Sequence, residues 1–181
     1  MPSYTFDAFV VSDGTRAAFD AAVAVAGKSD GADNPLSLFG PTRSGKTHLL
    51  HAIERAMRAR RPDAKIMRAP AQELIDQMIN AIRRDGMRRF RDSIAELDAL
   101  LLDDIWIGED KPNTMQELLL HFDNVLYNDG QVVLTSHIGV DAFPMLRRWI
   151  ESRHGKAVAL TSSLPRRSSL PLPYIRSNAG V

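Results

Sequence analysis

The chain has no cysteine among its 181 residues. That excludes disulfide staples and thiolate metal sites, and it fits a reducing cytoplasm, the expected location. Nor is there a bulk excess of charge: 23 Lys and Arg face 22 Asp and Glu, a net +1. Any contact with nucleic acid must therefore come from a local patch. The five histidines show no metal-ligand spacing. No apolar run is long enough to span a membrane, and Met1-Pro2-Ser3-Tyr4 lacks the basic-then-apolar opening of a signal. What is present, 44% hydrophobic residues, suffices to bury a core and points to one α/β domain.

The most informative stretch is Gly40-Pro41-Thr42-Arg43-Ser44-Gly45-Lys46-Thr47, which reads G-x-x-x-x-G-K-T. Glycines let backbone N–H groups curl around an anion without Cβ clashes. A following helix aims its N-terminal dipole at the same phosphates. Lys46 would reach the β- and γ-phosphates of ATP or the β-phosphate of ADP, and Thr47 would ligate Mg²⁺. The apolar run 36–39 precedes the loop as a strand should, and 48–53 follows with helical spacing. Gly40, Arg43, Ser44, Gly45, Lys46, Thr47 and His48 are thus the candidate nucleotide-binding residues.

Other stretches supply the rest of such a site. Leu97 to Leu102 reads as a buried strand ending in Asp103-Asp104. Acids at the carboxyl end of a central strand, downstream of a phosphate loop, suit Mg²⁺ (Asp103) and the attacking water (Asp104). Gln131 to Thr135 is a further strand, with Thr135, Ser136 and His137 at its end. The segment Tyr4 to Val11 is β-rich and aromatic, and either packs on the core or walls an adenine pocket. Thr15 to Ala26 predicts a helix with Phe19, Val23 and Ala26 on one face and Gly27 as its cap. Thr114 to Glu117 predicts a capping box opening a helix through Tyr127. Between Ala81 and Arg91, five arginines (Arg83, Arg84, Arg88, Arg89, Arg91) stand against one acid, Asp85. That density either seeks an anion or is a solvated face whose stems cover apolar surface. Residues 1–161 read as the globular core. Residues 162–181 hold three Pro, five Ser, three Arg and no acid, a disordered basic tail by composition.

Together these parts resemble the AAA+ ATPase domain of the bacterial chromosomal replication initiators, the DnaA family. The carriers are Tyr4 to Val11, Asn34-Pro35-Leu36, Gly45 to Ala52, Ala99 to Ile105 and Val133 to Ser136. The resemblance implies a phosphate-loop fold of AAA+ type, a parallel sheet flanked by helices. It implies that Phe9, Val10 and Val11 line the adenine site. It implies that the two-helix stretch from Glu73 to Ile94 grips single-stranded DNA. It implies that Arg153, in Glu151-Ser152-Arg153, is an arginine finger reaching a neighbouring DnaA-type subunit's nucleotide. Departures accompany the likeness. Arg43-Ser44 stands where the family has Gly-Leu, a change expected to strain a positive-φ backbone. Trp106-Ile107 stands for Gln-Phe and His154 for Phe. The helical lid and the duplex-reading domain of the family are not expected after Leu160, so the chain reads as the nucleotide-binding core alone. The expected function is an ATP-binding, single-strand-binding module of replication initiation, assembling through its nucleotide and at most a weak ATPase. The alternative is a regulatory paralogue, or an inactive truncated initiator, that binds AAA+ partners with little hydrolysis.

Overall fold

Five short apolar runs form one parallel sheet. Strands β1 (Leu36–Phe39), β2 (Ile66–Pro70), β3 (Ala99–Asp103), β4 (Gln131–Ser136) and β5 (Lys156–Ala159) lie in the order β2-β3-β4-β1-β5. Every neighbouring pair is parallel. The structure, a computed structural model, describes residues 4–28, 31–106 and 111–161. The proposed tail at 162–181, Ile107 and part of the polar loop before β1 lie outside the described residues.

Helices cover both faces, as a parallel sheet requires. Side chains alternate along each strand, so β3 and β4 feed two cores. Leu100, Leu102, Val132 and Leu134 face helices α3 (Ala71–Arg83), α5 (Pro112–Tyr127) and α6 (Pro144–Ser152) through Leu74, Met78, Phe122 and Trp149. Ala99, Leu101 and Val133 face α1 (Arg16–Gly27) and α2 (Lys46–Arg60) through Ala22, Leu49, Leu50 and Ile53. Helix α4 (Met87–Ala95) follows α3 and leans on α5.

Local structure settles some expectations and corrects others. Tyr4 to Val11 forms turns, with Phe6 and Phe9 packed against the core, one of the two alternatives the sequence leaves open, and Phe9 N–H donates to the Phe6 carbonyl at 3.1 Å. Phe9 stacks on Phe19 at 5.7 Å, and Phe6 meets the same ring edge-on at 5.6 Å. In α1, Ala26 is buried and Phe19 packs against the core as predicted, beside Ala18, Ala21, Ala22 and Val25, but Val23 is 42% exposed. Small residues face the sheet because α1 packs closely on α2. Lys28, not Gly27, adopts the left-handed cap with φ 51°. Pro112 opens α5 and no side chain caps it, so Thr114 is already inside the first turn.

Candidate functional site

The loop after β1 turns at the carboxyl end of the sheet. Gly40 N–H donates to the Ser136 carbonyl at 3.1 Å, fixing the loop's start to β4. Gly45 has φ 102° at the head of α2, and a Cβ there would lie 2.7 Å from the Phe9 ring. Only glycine fits both constraints. Arg43 adopts φ 66°, as glycine at that place in the resembling family implies, at a local cost of about 1–2 kcal/mol. The Ser44 hydroxyl is buried with no hydrogen-bond partner among the described residues. An orphaned donor inside a ring of backbone N–H groups suits an anion.

Lys46 is only 7% exposed. Its ammonium folds across the loop and donates to the carbonyls of Gly40 (2.7 Å) and Pro41 (2.9 Å). Burial pushes its pKa below the ordinary lysine value, against the pull of Asp104 and Asp103. Beside it the helix start, β3 and β4 are bolted together. Thr47 Oγ1 donates to Asp103 Oδ2 at 2.9 Å, and Thr135 Oγ1 donates to Asp103 Oδ1 at 2.5 Å. Asp104, at φ 54°, donates its N–H to Thr135 Oγ1 at 2.8 Å. The Asp104 carboxylate accepts from His137 Nδ1 at 2.6 Å and from the His137 backbone N–H at 3.3 Å. No cluster of three His, Asp or Glu exists among the described residues. A hydroxyl and one carboxylate suit Mg²⁺, which takes few protein ligands and shares phosphate oxygens.

Phe9 lies against the loop, edge-on to His48 at 5.2 Å, and His48 Nε2 bonds the Thr5 carbonyl at 2.7 Å. Val11 is half-buried and Val10 is 85% exposed. The adenine-site candidates therefore adjoin the loop through Phe9. The arginines lie elsewhere, on α3 and α4. Arg83, Arg84, Arg88 and Arg89 are exposed and make no ion pair with the described residues. Arg91 differs, pairing with Glu117 on α5 at 2.8 Å.

Arg153 is remote from its own phosphate loop. It ends α6 three residues before Lys156, whose N–H bonds the Pro35 carbonyl at the amino end of β1. The loop leaves the other end of that strand, four residues or about 13 Å away. Within its own subunit Arg153 is tied to Asp123 on α5, by Nε at 2.7 Å and Nη2 at 2.6 Å. Asp123 carries no motif, so sequence reasoning passed over it.

His121 was passed over as well. It is fully buried on α5, with neither ring nitrogen hydrogen-bonded among the described residues. Phe90 of α4 meets it edge-on at 5.0 Å, and Glu117 lies 3.8 Å away. Burial holds its pKa below the ordinary value, Glu117 opposing and Arg91 adding to the drop. An unfolded chain thus takes up this proton first as pH falls below about 6.5. Stability should be full above that pH and decline on acidification, by at most about 1.4 kcal/mol per pH unit from this one group. His121→Phe should flatten the decline in urea unfolding between pH 7.5 and 5.5. An equal slope in both proteins would exclude His121 as its source.

The strand order, the loop at the carboxyl end of β1 and the Thr47–Asp103–Thr135 bolt define a phosphate-loop NTPase fold of AAA+ type. The family profile described as the bacterial DnaA ATPase domain matches residues 1–161, and the chain belongs to that family. It is 36% identical over 165 residues to the chromosomal replication initiator protein DnaA of Enterococcus faecalis, covering 91% of this chain and 37% of that protein. The Levilactobacillus brevis initiator is 36% identical over 163 residues, covering 90% and 36%. The chain thus spans about a third of the length of these curated relatives. Domain III of the Thermotoga maritima initiator superposes with a TM-score of 0.77 at 29% identity, over 88% of this chain and 68% of that one. AMPPCP-bound DnaA from Aquifex aeolicus has the same fold, with a TM-score of 0.75 at 24% identity over 88% and 50%. No helix among the described residues is long and apolar enough to cross a membrane.

Proposed function

We propose that the chain is an ATP-binding DnaA-type module of replication initiation that binds single-stranded DNA and assembles through its nucleotide. The observation that carries the reading is the junction of Thr47 with Asp103 at 2.9 Å, at the mouth of a loop whose lysine is buried. Lys46 would hold the β- and γ-phosphates, and Thr47 with Asp103 would hold Mg²⁺, which supplies positive charge at the phosphate oxygens when bound. Asp104, steadied by His137, would orient the attacking water. Phe9, Val10 and Val11 would border the base. Arg153, at the far end of the sheet, would serve a neighbour's phosphates.

Arg83, Arg84, Arg88 and Arg89, which make no ion pair among the described residues, support single-strand binding, and one solved neighbour is DnaA bound to AMPPCP and single-stranded DNA. Arg91 is the weaker contributor, its charge being shared with Glu117. Oligo-dT affinity should fall with salt at a log–log slope of about −0.7 per phosphate contacted. Reversing charge at Arg83 and Arg88 should flatten that slope by about 1.4, two contacts' worth. Equal binding of oligo-dT by reversed and parent chains would reduce the patch to a solvated face.

The second reading, a regulatory paralogue that barely hydrolyses ATP, gains support from the strained Arg43 in the phosphate loop. Size-exclusion elution with ADP, with a non-hydrolysable ATP analogue and with either plus oligo-dT separates the two. Larger assemblies only with the ATP analogue and DNA favour the first. A single elution volume in every condition overturns it.

A further inference from the structure

The surroundings of Arg153 form a built guanidinium cradle. Asp123 Oδ1 accepts from Arg153 Nε at 2.7 Å and from the Trp149 indole N–H at 2.7 Å, while Oδ2 accepts from Arg153 Nη2 at 2.6 Å. Trp149 is 6% exposed and packs on Phe122 at 5.5 Å, so the carboxylate is anchored from the core side. The guanidinium carbon stands 5.6 Å over the Trp149 ring. Ser152 Oγ accepts from Arg153 Nη1 at 2.7 Å and donates to the Trp149 carbonyl at 2.8 Å. One edge and one face of the guanidinium are therefore held.

A guanidinium has five N–H donors, and this one uses three within its own subunit. Among the described residues, one N–H remains unused on each of Nη1 and Nη2. That pair matches two oxygens of a phosphate in fork geometry. The side chain is 38% exposed, so these two donors are reachable. We propose that Asp123 and Trp149 pre-position Arg153, with its two remaining donors presented to a phosphate held by a second copy of this chain. Asp123 is thus a positioning residue for hydrolysis in the neighbour. The inference rests on the reading of Arg153 as a finger acting in trans. An unrestrained arginine on a helix end samples many rotamers, and ordering it during the reaction loses rate. A carboxylate fixed by a buried indole does that ordering beforehand. A plain surface ion pair would add only about 0–1 kcal/mol to stability and would not affect one role of the subunit more than another.

The test separates finger-giving from nucleotide-holding subunits, using full-length chains. Lys46→Ala subunits give a finger and bind ATP about tenfold or more weakly, so the assay runs at ATP concentrations that fill Arg153→Ala subunits and leave Lys46→Ala subunits mostly empty. Arg153→Ala subunits hold ATP and give no finger. Excess Lys46→Ala should rescue hydrolysis by Arg153→Ala. The double variant Lys46→Ala/Asp123→Asn should rescue at least tenfold less, approaching the roughly hundredfold cost of a 1 Å misplacement. In the opposite role, Asp123→Asn/Arg153→Ala should be rescued as well as Arg153→Ala alone. Asn keeps the side chain's volume and one acceptor, and melting curves check that the fold persists. Without ATP, the Arg153 Nε–H resonance should be protected from exchange in the parent and unprotected in Asp123→Ala, which removes both acceptors. Equal rescue by both donors, or equal protection of the Nε–H, overturns the cradle alone. Failure of Lys46→Ala itself to rescue overturns the trans reading, and the cradle's role with it.

Discussion

Arg153→Ala is expected to lower ATP hydrolysis by about 10³- to 10⁵-fold, at concentrations where the parent's rate per subunit has stopped rising. Asp103 and Asp104 can place a cation and a water within one subunit. They cannot neutralise the charge that spreads over the γ-phosphoryl oxygens in the transition state. An arginine commonly supplies that, at about 4–7 kcal/mol of barrier. Arg153 cannot do so for its own subunit, because β1 separates the end of α6 from the phosphate loop. A lone subunit should therefore be a poor ATPase, with activity per subunit rising with protein concentration. The substitution also removes the Asp123 tie, whose partners are 38% and 32% exposed. A pair that open contributes about 1 kcal/mol or less to stability, too little to account for a thousandfold loss. If Arg153→Ala hydrolyses as fast as the parent at every concentration, the assignment is wrong.

The second large effect concerns binding. Lys46→Ala should weaken ATP by about tenfold or somewhat more, measured by calorimetry. A charge-assisted contact to phosphate contributes roughly 1.5–3 kcal/mol, which alone means ten- to hundredfold. The structure argues for the lower part of that range. Lys46 already donates to two loop carbonyls, at 2.7 and 2.9 Å, and must give those bonds up to reach a phosphate. The net gain is thus an exchange of partners, with the stronger acceptor winning. Affinity equal to the parent's would sink the phosphate-loop reading of Gly40 to Thr47.

Much of this site was readable before any coordinates, because its chemistry is local in the chain. A strand, two glycines, a lysine, a hydroxyl and a helix start follow one another within 36–53, and their spacing alone constrains the backbone. Arg43 at φ 66° went beyond spacing, since its positive φ was expected only because the resembling family places glycine there. The aromatic segment Tyr4 to Val11 shows where local reading stops. Composition leaves open whether it packs on the core or walls an adenine pocket, and the structure shows its rings packed against α1 and α2, Phe6 on Phe19 and Phe9 on His48. On α1, Ala26 and Phe19 face the core as predicted and Val23 alone does not. Close packing of two helices selected the alanines inward and left Val23 to solvent.

Legible in one dimension are the short-range devices: the loop with its glycines, the paired acids ending an apolar run and the arginine-dense stretch, while Arg153 stood out only by resemblance to the family. Periodicity, turn chemistry and charge act over a few residues, so they can be read in one dimension. Only the tertiary structure decided which of these meet. Thr47 reaches Asp103 across 56 positions, Thr135 bolts Asp103 to Asp104 from the next strand, and Asp123 finds Arg153 across 30. Parallel crossovers create those meetings, because each strand's carboxyl end is brought to one edge of the sheet and each returning helix to a face. A carboxylate on α5 has no local signature that tells a solvated acid from an anchor for a guanidinium. The strand order and the packing of α6 on α5 settle it.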